Sequence, residues 1–194
     1  MARTKTFNEE EALTRAMELF WKKGYHGTSM QDLVDAMGIS RSSMYDTFGD
    51  KHEIFLQAFQ HYKQSQQSVL ASLSSEGDSI SKVLGTFFNH LLRDCVTDEE
   101  KRGCLVVNSS TELAWEDEAV RLLIEENYEE FERLFLPMFT LAIKKGEVDI
   151  QKNPQAMVRF LYVNMVGLRA VSRYNQDPEF LRDSAKMALT TLLK

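Results

Sequence analysis

The sequence predicts an all-α chain of about nine helices, on three observations. Apolar residues recur at helical spacing almost throughout, and no stretch alternates with the period of two that a half-buried strand needs. Side chains that cap helix N-termini stand three positions before an acid or an amide at several points. Glycines and Asx-Pro pairs fall where one periodic run should stop and the next begin.

Taken in order, Asn8 followed by Glu11 has the spacing of a capping box. Behind it Leu13, Ala16, Met17 and Phe20 form one apolar stripe that ends near Gly24. Thr28 and Gln31 read as a second box, opening a helix with Met30, Leu33, Val34 and Met37 on one side and Gly38 as its stop. A short helix from Arg41 follows, with Ser40 as its N-cap. Asp50 and Glu53 form a third box, and the longer helix behind it carries Ile54, Phe55, Ala58, Phe59 and Tyr62. From Ser79 the stripe is Ile80, Val83, Leu84, Phe87, Phe88, Leu91 and Leu92. The charged segment from Cys95 to Gly103 reads as a loop, and a short apolar piece, 104–107, follows it. A long pattern then runs over residues 117–145, closed by Gly146, with Pro137 inside it to kink or split it. Asn153-Pro154 and Asp177-Pro178 each put an N-cap residue before a proline at the first helical position, opening the last two helices.

With 194 residues, 43% of them hydrophobic and 27% charged, the chain is long enough for one core or for a small unit joined to a larger one. No apolar run has the length of a membrane span, and the first residues, MARTKTFNEEEAL, hold no apolar segment of a secretory signal. Cys95 and Cys104 have neither a disulfide-framework nor a metal-ligand spacing, which suits a reduced, cytoplasmic protein. Four histidines, His26, His52, His61 and His90, likewise show no ligand spacing, so neither metal nor cofactor is expected. No nucleophile–base set stands out, which argues against an enzyme. The net charge of −6 means that any surface for a polyanion is a local patch.

Such a patch is suggested by GISRSSMYDTFGDK, residues 38–51. The helix from Arg41 is too short to stand alone in water. Ile39 before the cap and Met44 at the fourth helical position form a hydrophobic staple, and Met44 and Phe48 share one face. Ser42, Ser43, Asp46 and Thr47 cover the other, with Arg41 and Tyr45 on the flanks. Helix, short turn with Gly38, and short second helix make a helix-turn-helix, whose second helix can enter a major groove. Short side chains let its backbone approach; Arg41 can reach guanine O6 and N7, and Ser42 and Ser43 can meet bases or phosphates. Thr28 and Lys51 stand at helix N-termini, where free N–H groups favour an anion. Arg3 and Lys5 form a basic arm of the kind that reaches the minor groove.

The block GYHGTSMQDLVDAMGISRSSMYDTFGDKHEIF, within residues 10–60, resembles the DNA-binding region of the TetR family of bacterial transcriptional regulators. The resemblance implies a DNA-binding domain over residues 1–50 and an effector-binding and dimerisation domain over 51–194. It implies a homodimer, most simply a repressor, on double-stranded operator DNA, released by a small, mainly hydrophobic effector. In it, Arg41, Ser42, Ser43 and Thr47 match base-reading positions, and Thr28, Tyr45 and Lys51 match positions that hold phosphates.

Beyond residue 60 the residues speak less directly. The aromatic set Phe87, Phe88, Trp115, Tyr128, Phe131, Phe135 and Phe139 is core by default; polar Asn108, Thr111, Glu112 and Asn164 on apolar stretches suit a cavity with a few polar contacts. Phe87, Asn108, Glu112, Trp115, Phe131 and Phe135 are the candidate pocket. Cys104 reads as a buried small hydrophobe, or as a thiol sensing electrophiles beside basic Lys101 and Arg102. Two apolar terminal helices suggest a four-helix bundle with a twin, through Phe160, Gly167, Leu168, Leu181, Ala188 and Leu192. An architectural DNA-binding protein without effector, or a helical protein-interaction module, are the alternatives.

Overall fold

The computed structural model describes residues 7–72 and 77–193, and among these every regular element is a helix. They are α1 (Glu9–Lys23), α2 (Met30–Met37), α3 (Arg41–Phe48), α4 (Lys51–Ser72), α5 (Ile80–Thr97), α6 (Leu105–Glu112), α7 (Glu118–Lys144), α8 (Pro154–Val171) and α9 (Pro178–Leu193). The basic arm with Arg3 and Lys5 lies outside the described residues.

The caps explain most of the boundaries. The Asn8 side chain accepts from the N–H groups of Glu10 and Glu11, and Asp50 and Glu53 close their box reciprocally, each backbone N–H donating to the other's carboxylate at 2.9 Å. The box before α2 is shifted by one residue from expectation. Ser29 is the N-cap and Asp32 its partner, because Thr28 has turned inward and spends its hydroxyl on the Gly24 carbonyl at 2.7 Å. α5 also runs on through Cys95 to Thr97, since Cys95 still lies on the buried stripe of Leu84, Phe88 and Leu91. Pro137 does not split α7, which continues to Lys144.

Two apolar cores result. α1 to α4 close around Phe20, Leu33, Met44, Phe55 and Phe59, and this core also takes in Leu105 of α6 and Val120 of α7. The second core, around Leu84, Phe88, Phe135, Phe139 and Leu161, is made by α5 and α7 to α9. α4 thus stands on both sides, packing against α1 and α3 and also against α6 and α7.

The terminal helices correct an expectation. Leu168, Leu181, Ala188 and Leu192 are buried in the chain's own second core, where α9 packs against α5 and α8. Periodicity finds an apolar stripe but does not say whose core it faces. The outward faces carry a different set: Phe160, Val163, Gly167 and Ala170 at helical spacing on α8, and Phe180 and Met187 on α9, all exposed.

Candidate nucleic-acid interface and internal cavity

The turn between α2 and α3 depends on Gly38, whose φ of +68° is left-handed backbone that side chains disfavour. α3 then starts at Ser40, whose Oγ accepts from the N–H of Ser43 at 3.2 Å. Met44 and Phe48 are the buried footing of the helix. Everything else on it faces outward. Arg41 and Tyr45 are exposed, Tyr45 to 45%, and neither side chain has a hydrogen bond or ion pair among the described residues. Ser42 and Ser43 are linked through Ser40, with Oγ–Oγ distances of 3.1 and 2.8 Å, so their hydroxyls are held side by side at the N-terminus of α3. Thr47 is half-buried one turn on, and Asp46 is exposed.

Lys51 opens α4 with its ammonium 4.3 Å from the centre of the Tyr25 ring. Burial pushes its pKa down, and the nearby Glu112 carboxylate opposes that shift. Thr28 is the misplaced member of the set. It is buried, with its hydroxyl committed to Gly24 and its N–H to Tyr25, so its side chain offers no free donor to a phosphate.

Behind this surface, α6 and the turn after it grip the N-terminal unit. Glu112, at the end of α6, accepts from the Tyr25 N–H at 3.1 Å and the His26 N–H at 2.8 Å. The His26 ring meets Glu116 at 2.7 Å, and the His52 ring meets Asp117 at 2.7 Å. Partial burial raises the Asp117 pKa, but bonds from the Val120 N–H and His52 outweigh it and hold the carboxyl below its usual range.

A cavity of about 320 Å³ lies within the larger unit, between α4, α5, α7 and α8, with α6 forming one wall. Phe87 and Phe131 of the sequence-derived pocket line it, with Leu91, Leu134, Tyr162 and Met165. Four expected members do not. Phe135 is buried behind Phe131, with ring centres 4.5 Å apart. Asn108 donates to the Arg102 carbonyl at 2.8 Å, and Glu112 is turned to α1 and His26 as described. Trp115, in the turn after α6, is 78% exposed. Thr111 and Asn164 spend their side chains on nearby carbonyls.

Charged residues on apolar stripes are what sequence reasoning passed over. Lys63 falls on the α4 stripe beside Phe59 and Tyr62, is 2% exposed, and pairs with Glu126 at 2.7 Å and Glu130 at 3.4 Å. Arg169 follows Met165 and Val166 on α8 and lines the same cavity. Cys104 lines it too, buried, with the Tyr62 hydroxyl donating to its Sγ at 3.5 Å. A charge interrupting an apolar stripe is the signal that would have found Lys63 and Arg169.

A sequence profile of bacterial regulatory proteins of the tetR family matches residues 12–58, and one described as a tetracyclin repressor-like C-terminal domain matches residues 82–188. The chain is similar to the uncharacterised HTH-type transcriptional regulator YezE of Bacillus subtilis (strain 168), 28% identical over 193 residues, 99% of this chain and 100% of that protein. It is also similar to the HTH-type transcriptional repressor ComR of Escherichia coli (strain K12), 25% identical over 188 residues, 96% of this chain and 90% of that one. Among solved structures, a cysteine-substituted TetR-family regulator, CifR, in complex with 26-base-pair operator DNA aligns at a TM-score of 0.86 and 28% identity, covering 97% of this chain and 98% of that one.

Proposed function

The chain belongs to the TetR family of bacterial transcriptional regulators, and on that footing we propose that it is a repressor that binds operator DNA as a homodimer and lets go when a small organic effector fills its cavity. The observation that carries the DNA-binding part is the outward face of α3, where Arg41 and Tyr45 stand exposed and unpaired beside a row of hydroxyls. In this reading Arg41, Ser42, Ser43 and Thr47 read bases, and Tyr45 and Lys51 hold phosphates. Thr28 supports the turn before α2 and contributes no side-chain contact. The DNA-binding unit spans residues 1–50 and the effector and dimerisation unit 51–194, with α4 rooted in both. The protein works in the cytoplasm, where its DNA is, and we assign it no catalytic step.

The dimer face in this reading is the exposed set Phe160, Val163, Gly167, Ala170, Phe180 and Met187. Small residues at Gly167 and Ala170 let a twin helix come close. Pairing there sets two recognition helices about 34–36 Å apart, one turn of the duplex. The α6 helix links cavity and DNA: Val106 and Val107 line the cavity, and Glu112 at its other end holds the loop before α2. An effector acts by its differential affinity for the two arrangements. Moving operator occupancy from 99:1 to 1:99 takes about 5.5 kcal/mol of that difference.

Selection of bound duplexes from a randomised pool tests the reading. A two-fold symmetric site with half-sites about 10 base pairs apart is expected. Enrichment of no sequence, or of a single unrepeated half-site, would contradict it.

A further inference from the structure

Two cavities meet at one buried guanidinium. The second, about 200 Å³ and polar, is lined by Trp21 of α1, Asp94 of α5 and Arg102, and shares Gln66 and Arg169 with the larger one. Of the cations around the larger cavity, Lys63 is matched by two glutamates and Arg133 is exposed to water. Arg169 has neither. Its side chain is 14% exposed, its nearest carboxylate oxygen is that of Asp94 at 3.7 Å, and its guanidinium makes no hydrogen bond among the described residues. Asp94 is already shared with the His90 ring at 3.0 Å. A guanidinium brings five donors, and a charge taken out of water without hydrogen-bonded partners is costly.

Trp21 adds a second unmatched donor to the same region. Its Nε1 is buried with no hydrogen-bond partner, while its ring packs on Tyr62 at 5.0 Å and under the Arg102 guanidinium at 4.2 Å. Both unmatched groups are donors, so the missing complement is an acceptor, and an anionic one also answers the charge of Arg169. A carboxylate has two oxygens that suit the guanidinium fork. The rest of the space is mainly apolar, walled by Phe87, Leu91, Phe131 and Leu134, and suits a hydrocarbon body.

We propose that the effector is an amphipathic organic acid, with its carboxylate at Arg169 and the Trp21 N–H and its apolar body in the larger cavity. This narrows the ligand-responsive reading above and rests on it. Because Trp21 belongs to α1 and Arg169 to α8, the acid group bridges the DNA-binding unit and the larger one.

The test titrates octanoate against 1-octanol, and decanoate against 1-decanol, by calorimetry on the full-length protein and on its operator complex. The acid should bind at least about tenfold more tightly than the alcohol of equal length, and should release the operator. Arg169→Gln should remove that preference while leaving alcohol affinity and the circular dichroism spectrum unchanged. Trp21→Phe, which removes the N–H together with part of the indole ring but keeps an aromatic face for Tyr62 and Arg102, should weaken acid binding severalfold and alcohol binding much less, and it serves if Arg169→Gln fails to fold. Equal or tighter alcohol binding overturns the proposal, as does an acid preference that survives Arg169→Gln or acids that do not bind at all. Acid binding without operator release would leave the site standing and sink the ligand-responsive reading instead.

Discussion

Helix α3 and the internal cavity are built by opposite means. α3 is one contiguous stretch of eight residues, seated on two buried side chains, Met44 and Phe48, with its polar groups turned to solvent. The cavity draws its wall from five helices, two to six side chains from each, and turns some of its polar groups inward. The first arrangement costs little to expose, because serine, threonine, arginine and tyrosine tips are solvated. The second is stable only if each buried charge is answered, as Lys63 is and Arg169 is not. A surface that must fit DNA is fixed by local sequence; a space that must fit a small molecule is fixed by how distant segments meet.

Substitutions that strike one region and spare the other sharpen this contrast. The largest effect is expected on neither site directly. Val163→Glu together with Met187→Glu should give a monomer by light scattering and lower operator affinity about 10²–10⁴-fold, the range that bivalence supplies; an unchanged dimer would displace the proposed interface. Met44→Ala should lower stability by about 2–5 kcal/mol, since Met44 is fully buried under α3, and denaturant titration reads this out. Glu112→Ala removes the acceptor for two backbone N–H groups between the two regions and should cost about 1–3 kcal/mol. It should also blunt the release of operator by effector more than it weakens effector binding.

The smallest effect is on pH. The folded pKa of Asp117 lies below its ordinary value, so its contribution to stability is fully present above the unfolded value and is lost as pH falls through the folded one. Asp117→Asn should therefore lower stability modestly at neutral pH and flatten part of the acid side of the stability curve, the two proteins converging at low pH. An identical acid slope in the variant would show that Asp117, with its bonds from the Val120 N–H and His52, carries no linkage.

The same contrast explains what could be read from the sequence. Helix number, order and most caps were legible because each is written within a few residues, as Asn8, Ser40, Asp50 and the two Asx-Pro pairs show. The shift from Thr28 to Ser29 at α2 escaped because both residues can cap and only the inward turn of Thr28 decides. Asn108, Glu112 and Trp115 were sought in the cavity as polar or aromatic residues on a periodic run; one caps a loop, one grips α1, and one faces water. Leu181 and Leu192 lay on a correctly found stripe whose partner, α5, is about a hundred residues away in sequence, where no local rule reaches.

The measurement that bears most directly on the account is a gel shift with the DNA upstream of its own gene, comparing wild type with Arg41→Ala/Tyr45→Ala at two salt concentrations. The wild type should retard one fragment specifically and lose affinity as salt rises, with few phosphates contacted. The double variant should fold normally and bind at least about 10²-fold more weakly, each lost contact being worth about 1–3 kcal/mol. Equal retardation by both proteins would contradict the assignment of α3 as the reading helix.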